Sequence, residues 1–257
     1  KENGLLPRFH EFKTSIVAKA IANLLGISIS TSDELFKAGS ELAPPRPPVL
    51  CPGCPHRAVA YAIKKVTRGK AIYSGDIGCY SLMALPPLNS MDTIICMGGS
   101  TGLACGFSIA DERPVIAIIG DSTFFHAGIP ALINAVYNKH KMLVVVLDNR
   151  YTAMTGHQPN PSTGKTAVGD ETKVIPPEEI ARSIGISFVK VVDPYNLKET
   201  EKAIREALST EGASVVVFRH PCRLIELRAM RKQGVKPVSY THLRAHETEA
   251  DLVCRLL

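Results

Sequence analysis

Val115-Ile116-Ala117-Ile118-Ile119-Gly120-Asp121-Ser122 and, a helix later, Met142-Leu143-Val144-Val145-Val146-Leu147-Asp148-Asn149 are the stretches whose reading decides the fold. Each is a short apolar run, rich in β-branched residues, that ends in polar punctuation. That pattern predicts a buried parallel strand. Between them, His126 to His140 places Ile129, Leu132, Ile133 and Val136 at helical spacing. The unit is β-α-β, and its right-handed connection brings the two strand ends together. Ligands of open parallel sheets sit outside those carboxyl ends, where Asp121 and Asn149 fall. A carboxylate, an amide oxygen and a nearby backbone carbonyl, here that of Tyr151, are hard donors that suit Mg²⁺. The bland alternative is a nucleotide-fold β-α-β unit with a polar loop and no metal.

Working outward, the same grammar repeats. Lys70 to Ser74 reads as a strand ending in Gly75-Asp76-Ile77-Gly78-Cys79-Tyr80. Asp92 to Met97 reads as another, ending in Gly98-Gly99-Ser100-Thr101-Gly102 at a helix start, where backbone N–H groups suit phosphate. Ser122 and Thr123 precede a second such start. Cys96 and Cys105 sit among apolar residues and read as core. Tyr151 to Pro159, including Thr155 and His157, is a polar loop leaving the Asn149 strand end. Then come a helix over Pro176 to Gly185, a strand over Phe188 to Val192, an amphipathic helix over Lys198 to Ser209 and a strand over Ser214 to Phe218. The last strand runs into Arg219-His220-Pro221-Cys222. Strands alternating with helices predict an α/β fold with a doubly wound, mostly parallel sheet.

Three segments are expected. Residues 1–48 hold the end of a preceding domain and a linker: a helix over Ser15 to Leu25 stopped by Gly26, a helix start at Ser32-Asp33-Glu34-Leu35, and the stiff run Pro44-Pro45-Arg46-Pro47-Pro48. Residues 49–236 form the main domain. Residues 237–257 change composition, and Ser239 to Thr248 reads as adaptor-derived sequence, so His242, His246 and Cys254 are discounted as ligands. The first residue is Lys, which suggests a fragment.

Cys51-Pro52-Gly53-Cys54-Pro55-His56 opens the main domain, ahead of a helix over His56 to Thr67. A Cys-x-x-Cys allows a dithiol, half of a zinc site or two ligands of an iron–sulfur cluster. A dithiol expects a preceding buried strand, where a Pro-rich linker stands. Zinc expects a second close pair. A cluster needs two more Cys brought in by the fold, for which Cys79 and Cys222 are candidates at strand ends. The 257 residues carry a formal net charge of +6 with scattered Lys and Arg, which argues against nucleic acid and leaves room for an acidic partner such as an electron carrier. No apolar run approaches the ~20 residues of a membrane span. Seven Cys with one Cys-x-x-Cys suit metal or redox use in the cytoplasm better than disulfides.

Gly120-Asp121-Ser122 with Asp148-Asn149 downstream resembles the thiamine diphosphate fingerprint, Gly-Asp-Gly and then Asn-Asn or Asp-Asn, with Ser122 in place of the usual Gly. Arg46-Pro47-Pro48-Val49-Leu50-Cys51-Pro52-Gly53-Cys54-Pro55-His56-Arg57, Gly75 to Tyr80, Gly120 to Phe124 and the run from Asp148-Asn149 through Thr155-Gly156-His157-Gln158-Pro159 complete the pattern. Together they resemble the thiamine-diphosphate (pyrophosphate-domain) fold of the large, alpha subunit of indolepyruvate ferredoxin oxidoreductases, over about Lys1 to Lys236.

The resemblance implies oxidative decarboxylation of indolepyruvate or another aryl pyruvate to an acyl-CoA, with electrons passing through iron–sulfur clusters to ferredoxin. It implies Asp121, Asn149 and the Tyr151 carbonyl on Mg²⁺. Cys51, Cys54, Cys79 and Cys222 match the order of [4Fe-4S]-binding Cys in the related pyruvate enzyme. His56 and His157 are implied near cofactor or substrate as catalytic candidates, and Gly78, Gly98, Gly99, Ser100, Gly120, Ser122, Thr123 and Thr155 as cofactor neighbours. Implied partners are coenzyme A, ferredoxin and a small beta subunit. Two parts of the family pattern are missing: the Glu that activates the aminopyrimidine, which comes from a pyrimidine-binding domain, and a Cys-rich ferredoxin-like tail. The chain alone is therefore expected to bind cofactor weakly and not to turn over.

The rivals are a pyruvate or 2-oxoglutarate ferredoxin oxidoreductase subunit, a non-redox thiamine-dependent 2-oxoacid decarboxylase, and a non-enzymatic zinc- or nucleotide-binding module. Pro55, where the pyruvate and 2-oxoglutarate enzymes usually carry Gly, favours indolepyruvate.

Overall fold

A computed structural model describes residues 4–8, 12–29, 33–43 and 47–235. The expected tail at 237–257 and residues 44–46 of the Pro-rich run lie outside the described residues. The chain divides into two compact units, Lys1–Pro47 and Pro48–Leu257.

The first unit contains α1, Thr14–Leu25, and α2, Asp33–Leu42. Gly26 ends α1 with φ 65°, a left-handed turn that glycine enters without a Cβ penalty, as the sequence implies.

The second unit is built on a parallel sheet. In chain order it runs α3 (Pro55–Thr67), β1 (Ile72–Gly75), a 3₁₀ turn (Cys79–Ala84), β2 (Thr93–Ile94), α4 (Gly99–Ala110), β3 (Val115–Gly120), α5 (Asp121–Thr123), a π turn (Phe124–Gly128), α6 (Ile129–Tyr137), β4 (Met142–Asp148), α7 (Pro177–Ile184), β5 (Phe188–Val192), α8 (Leu197–Leu208), β6 (Ala213–Arg219) and α9 (Arg223–Lys232). The strand order is β2-β1-β3-β4-β6-β5, and every pairing is parallel.

Alternation along the central strands divides the core between the two faces. Ile116 and Ile118 of β3 and Leu143, Val145 and Leu147 of β4 pack with Val59 and Ile63 of α3 and Ala203 and Ile204 of α8. Val115, Ala117 and Ile119 pack with Ala104 of α4, Leu132 and Ala135 of α6 and Ala181 of α7 on the other side. Helices thus cover both faces, which is why the strands are apolar on both sides and why the sheet is doubly wound. The winding reverses between β1 and β3, which opens a crevice at their carboxyl ends.

Three local expectations change. The helix after β3 begins at Asp121 rather than His126, and the π turn shifts the helical phase of α6. Within α6, Leu132 and Ala135 face the core, and Ile133, one residue past Leu132 and so turned about 100° from it, is 50% exposed. The strand expected over Asp92 to Met97 pairs only at Thr93 and Ile94. Cys96, expected in the core, lies past its end and is exposed, whereas Cys105 is buried.

Candidate functional site

The carboxyl ends of β1, β3 and β4 frame one pocket. Gly78, Gly120, Asp121, Ser122, Thr123, Asn149, Tyr151 and Thr155 all line it, so the three residues expected to share a cation border a common space. Asp121 starts α5, which puts it in the first helical turn, beside N–H groups that have no acceptor within the helix. It is buried, and its neighbours are unusual for an acid. Asn160 Nδ2 and Ser162 Oγ each approach Oδ2 at 2.9 Å, both neutral donors. Burial and the nearby Asp148 carboxylate raise the Asp121 carboxyl to about 7. A buried carboxylate that has neutral donors and a second negative charge beside it is a place where a cation fits. Asn149 Oδ1 accepts the Tyr151 N–H at 3.0 Å, which fixes the amide oxygen and keeps one lone pair for a further partner.

Gly78 and Gly120 are glycines because of Tyr80. A Cβ on Gly120 would lie 2.6 Å from Tyr80 Cε1, and one on Gly78 would also collide with that ring. Tyr80 OH in turn donates to Asp76 Oδ1. Asp76 Oδ2 accepts Gly98 N–H at 3.1 Å and Ser100 Oγ at 2.8 Å. The Gly98-Gly99-Ser100 turn is therefore tied to β1 by Asp76. These three residues stand beside the pocket and are not among its lining residues.

A second carboxylate cluster backs the site. Arg219, at the end of β6, donates from Nε to Asp148 Oδ2 at 2.7 Å and from Nη1 to Glu178 Oε1 at 2.9 Å. Sequence reasoning misses Asp76, Tyr80, Asn160, Ser162, Glu178 and Arg219. For Asp76 and Arg219 a signal exists, a charged residue at the end of an apolar strand. Asn160 and Ser162 lie in a long loop with no such mark.

The four cysteines meet. Cys51, Cys54, Cys79 and Cys222 line one cavity together with His56, His157 and Asn149. Burial first, then the other cysteines, push the Cys54 thiol up to about 12 and the Cys79 thiol up to about 11. Arg57 fixes the Cys-Pro-Gly-Cys turn by donating to the carbonyls of Leu50 and Cys51, and Tyr195 OH donates to the Gly53 carbonyl. His157 Nε2 lies 3.4 Å from Cys222 Sγ, so His157 belongs to the thiol cavity and Thr155 to the oxygen-lined pocket. Among the described residues, no three His, Cys, Asp or Glu converge closely enough to hold a single metal ion. A cubane cluster gives each thiolate its own iron, so its four sulfurs stand further apart than the ligands of one ion.

His56, Cys79, Asn149 and Ala153 line both cavities and so form the wall between them. His56 Nε2 is 3.4 Å from Asn149 Nδ2. Burial lowers the His56 imidazole to about 4, so it is neutral at physiological pH.

Residues 76–218 match the thiamine pyrophosphate enzyme, C-terminal TPP binding domain. Indolepyruvate oxidoreductase subunit IorA of Pyrococcus horikoshii is 48% identical over 248 residues, covering 90% of this chain and 38% of that protein. 2-Oxoglutarate synthase subunit KorB of Archaeoglobus fulgidus is 31% identical over 183 residues, covering 66% of this chain and 68% of the relative. The chain thus spans under two fifths of the IorA relative's length. Among solved structures, a 2-oxoglutarate:ferredoxin oxidoreductase from Magnetococcus marinus, with 2-oxoglutarate, coenzyme A and succinyl-CoA bound, superposes with a TM-score of 0.62 at 20% identity, covering 78% of this chain and 74% of that one. That likeness establishes a shared fold. No described helix is long and apolar enough to cross a membrane. With its doubly wound parallel sheet and its strand-end pocket, this chain belongs to the thiamine pyrophosphate enzymes, whose C-terminal TPP-binding domain it carries.

Proposed function

We propose that the chain is the cofactor-binding part of a cytoplasmic 2-oxoacid:ferredoxin oxidoreductase that converts an aryl pyruvate such as indolepyruvate, with coenzyme A, to an acyl-CoA and CO₂, two electrons passing to ferredoxin. The observation that carries this reading is the shared wall: a pocket lined by Asp121, Asn149 and Tyr151 and a cavity lined by four cysteines have His56, Cys79, Asn149 and Ala153 in common. A decarboxylase without redox chemistry has no use for the second cavity.

Asp121, Asn149 and the Tyr151 carbonyl would hold Mg²⁺, and the first-turn N–H groups of α5 would face the diphosphate. Bound there, thiamine diphosphate supplies the carbanion chemistry that detaches the carboxylate. The chain's own residues position and desolvate. Tyr80 packs behind Gly78 and Gly120 and sets the pocket floor. Neutral His56 offers a hydrogen bond without a charge at the wall. Cys51, Cys54, Cys79 and Cys222 would hold a [4Fe-4S] cluster, losing their protons to do so. A small beta subunit would complete the assembly.

Indolepyruvate is favoured over 2-oxoglutarate by the higher identity to the IorA relative, 48% against 31%. The test is twofold, on the complete protein. Calorimetry should find thiamine diphosphate binding that requires Mg²⁺ and falls more than about tenfold in Asp121→Asn. Anaerobic analysis should find about four fewer irons per chain in Cys54→Ser. Unchanged iron in that variant, with cofactor binding intact, would favour the decarboxylase. Dye reduction with indolepyruvate, pyruvate and 2-oxoglutarate ranks the substrates.

A further inference from the structure

We infer that Asn160 and Ser162 are positioning residues that occupy one oxygen of Asp121 and so set which cation the pocket accepts. The inference rests on the reading of Asp121 as a Mg²⁺ ligand and extends it to selectivity.

Both residues are buried, and both reach the same atom. Asn160 Nδ2 and Ser162 Oγ lie 2.9 Å from Asp121 Oδ2, and it is Oδ2 that both hydrogen bonds reach. The direction of the Asn160 amide is fixed independently, because its Oδ1 accepts the Ser162 backbone N–H at 2.9 Å. The nitrogen must therefore face Asp121. Ser162 Oγ has one proton and three acceptors within reach: Asn160 Oδ1 at 2.7 Å, Asp121 Oδ2 at 2.9 Å and Asp148 Oδ1 at 3.4 Å. It sits between the two carboxylates and lends its proton most strongly to an ionised one.

The segment is itself strapped to the neighbouring strand end. Arg150 Nη1 donates to the Ser162 carbonyl at 2.7 Å, Thr163 Oγ1 donates to the Arg150 carbonyl, and Asn160 N–H donates to Thr163 Oγ1 at 3.0 Å. Residues 160–163 thus span from Asp121 at the end of β3 to Arg150, next to Asn149 at the end of β4. They fix the two ligand-bearing strand ends relative to each other.

The chemical consequence concerns denticity. With Oδ2 engaged by two side chains, Asp121 has only Oδ1 left to offer a cation. Mg²⁺ demands a small, near-octahedral shell and takes one carboxylate oxygen at a time, whereas Ca²⁺ accepts more ligands and bidentate carboxylates. The Asn160–Ser162 pair therefore selects for Mg²⁺ and against Ca²⁺.

Calorimetry of Mg²⁺ and of Ca²⁺, each with thiamine diphosphate present, tests this on the complete protein. In Asn160→Ala and Ser162→Ala, Mg²⁺ affinity should fall about 10- to 100-fold, the usual effect of removing a residue that orients a metal ligand. Ca²⁺ affinity should fall less or rise, so that the Mg²⁺/Ca²⁺ preference shrinks about tenfold. Ser162→Thr keeps the hydroxyl and should retain the wild-type ratio, and the Ser162 variants carry the test should Asn160→Ala not fold. Equal losses for both ions, or no loss for either, would overturn the proposal while leaving the cofactor reading intact. A wild-type protein that binds thiamine diphosphate with no divalent ion would overturn that reading and the proposal with it.

Discussion

Tyr80 accounts for two of the glycines around the pocket. Its ring occupies the space that side chains at positions 78 and 120 would fill, and its hydroxyl reaches the buried Asp76. Gly120→Ala must displace the ring, which overpacking data put at about 1–3 kcal/mol of stability. Urea denaturation checks this, and Tyr80→Leu in the same chain should recover part of the loss by removing the obstacle. At this scale the sequence announces residues that end apolar strands, which is how Asp121 and Asn149 can be picked out. It hides the residues that support them. Asn160 and Ser162 lie 39 and 41 positions from Asp121, and nothing in a polar loop states which of its side chains turns inward.

Arg219 joins three elements: its own β6, β4 through Asp148, and α7 through Glu178. Arg219→Met would leave the buried Glu178 carboxylate without its hydrogen-bonded cation and leave Asp148 only the longer 3.8 Å pair to Arg150. Because the Arg219 side chain keeps 22% of its exposure, the expected cost is about 2–4 kcal/mol, toward the low side for removing one partner of a buried pair. Thermal unfolding measures it. Burial alone would raise the Glu178 carboxyl, but hydrogen bonds and charge from Arg219 outweigh it, and the net shift is downward from 4.5. A carboxyl lowered on folding contributes stability that is complete above its unfolded value and is lost as pH falls through the folded one. Wild-type stability should therefore drop as the pH falls below 4.5, and Glu178→Gln should drop less steeply there. The elements themselves are readable because β-branched runs and helical spacing are local signals. The exceptions have physical causes. Ile133 reads as inward because spacing shows that α6 has an apolar stripe but not where it is centred; the buried line runs through Leu132 and Ala135 and leaves Ile133 at its edge. β2, at one edge of the sheet, pairs with β1 at Thr93 and Ile94 only, and the chain then turns into α4 at Gly98 and Gly99.

Across the whole molecule, strand order does the work that sequence order cannot. Reversal of winding between β1 and β3 puts Gly78 and Gly120 against one aromatic ring. The insertion of β6 between β4 and β5 carries Cys222 to the strand ends, into the cavity lined by Cys51, Cys54 and Cys79. Sequence pattern places these cysteines in strand-end loops; only the fold brings the thiol cavity and the oxygen-lined pocket to a common wall. The central claim is that Asp121 and Asn149, from adjacent parallel strands, hold one divalent ion over that wall. A crystal of the complete protein grown with Mn²⁺ and thiamine diphosphate tests it by anomalous scattering. The expected result is a manganese peak within coordination distance of Asp121 Oδ1, Asn149 Oδ1 and the Tyr151 carbonyl. A peak bound elsewhere, with those three oxygens unliganded, would contradict it.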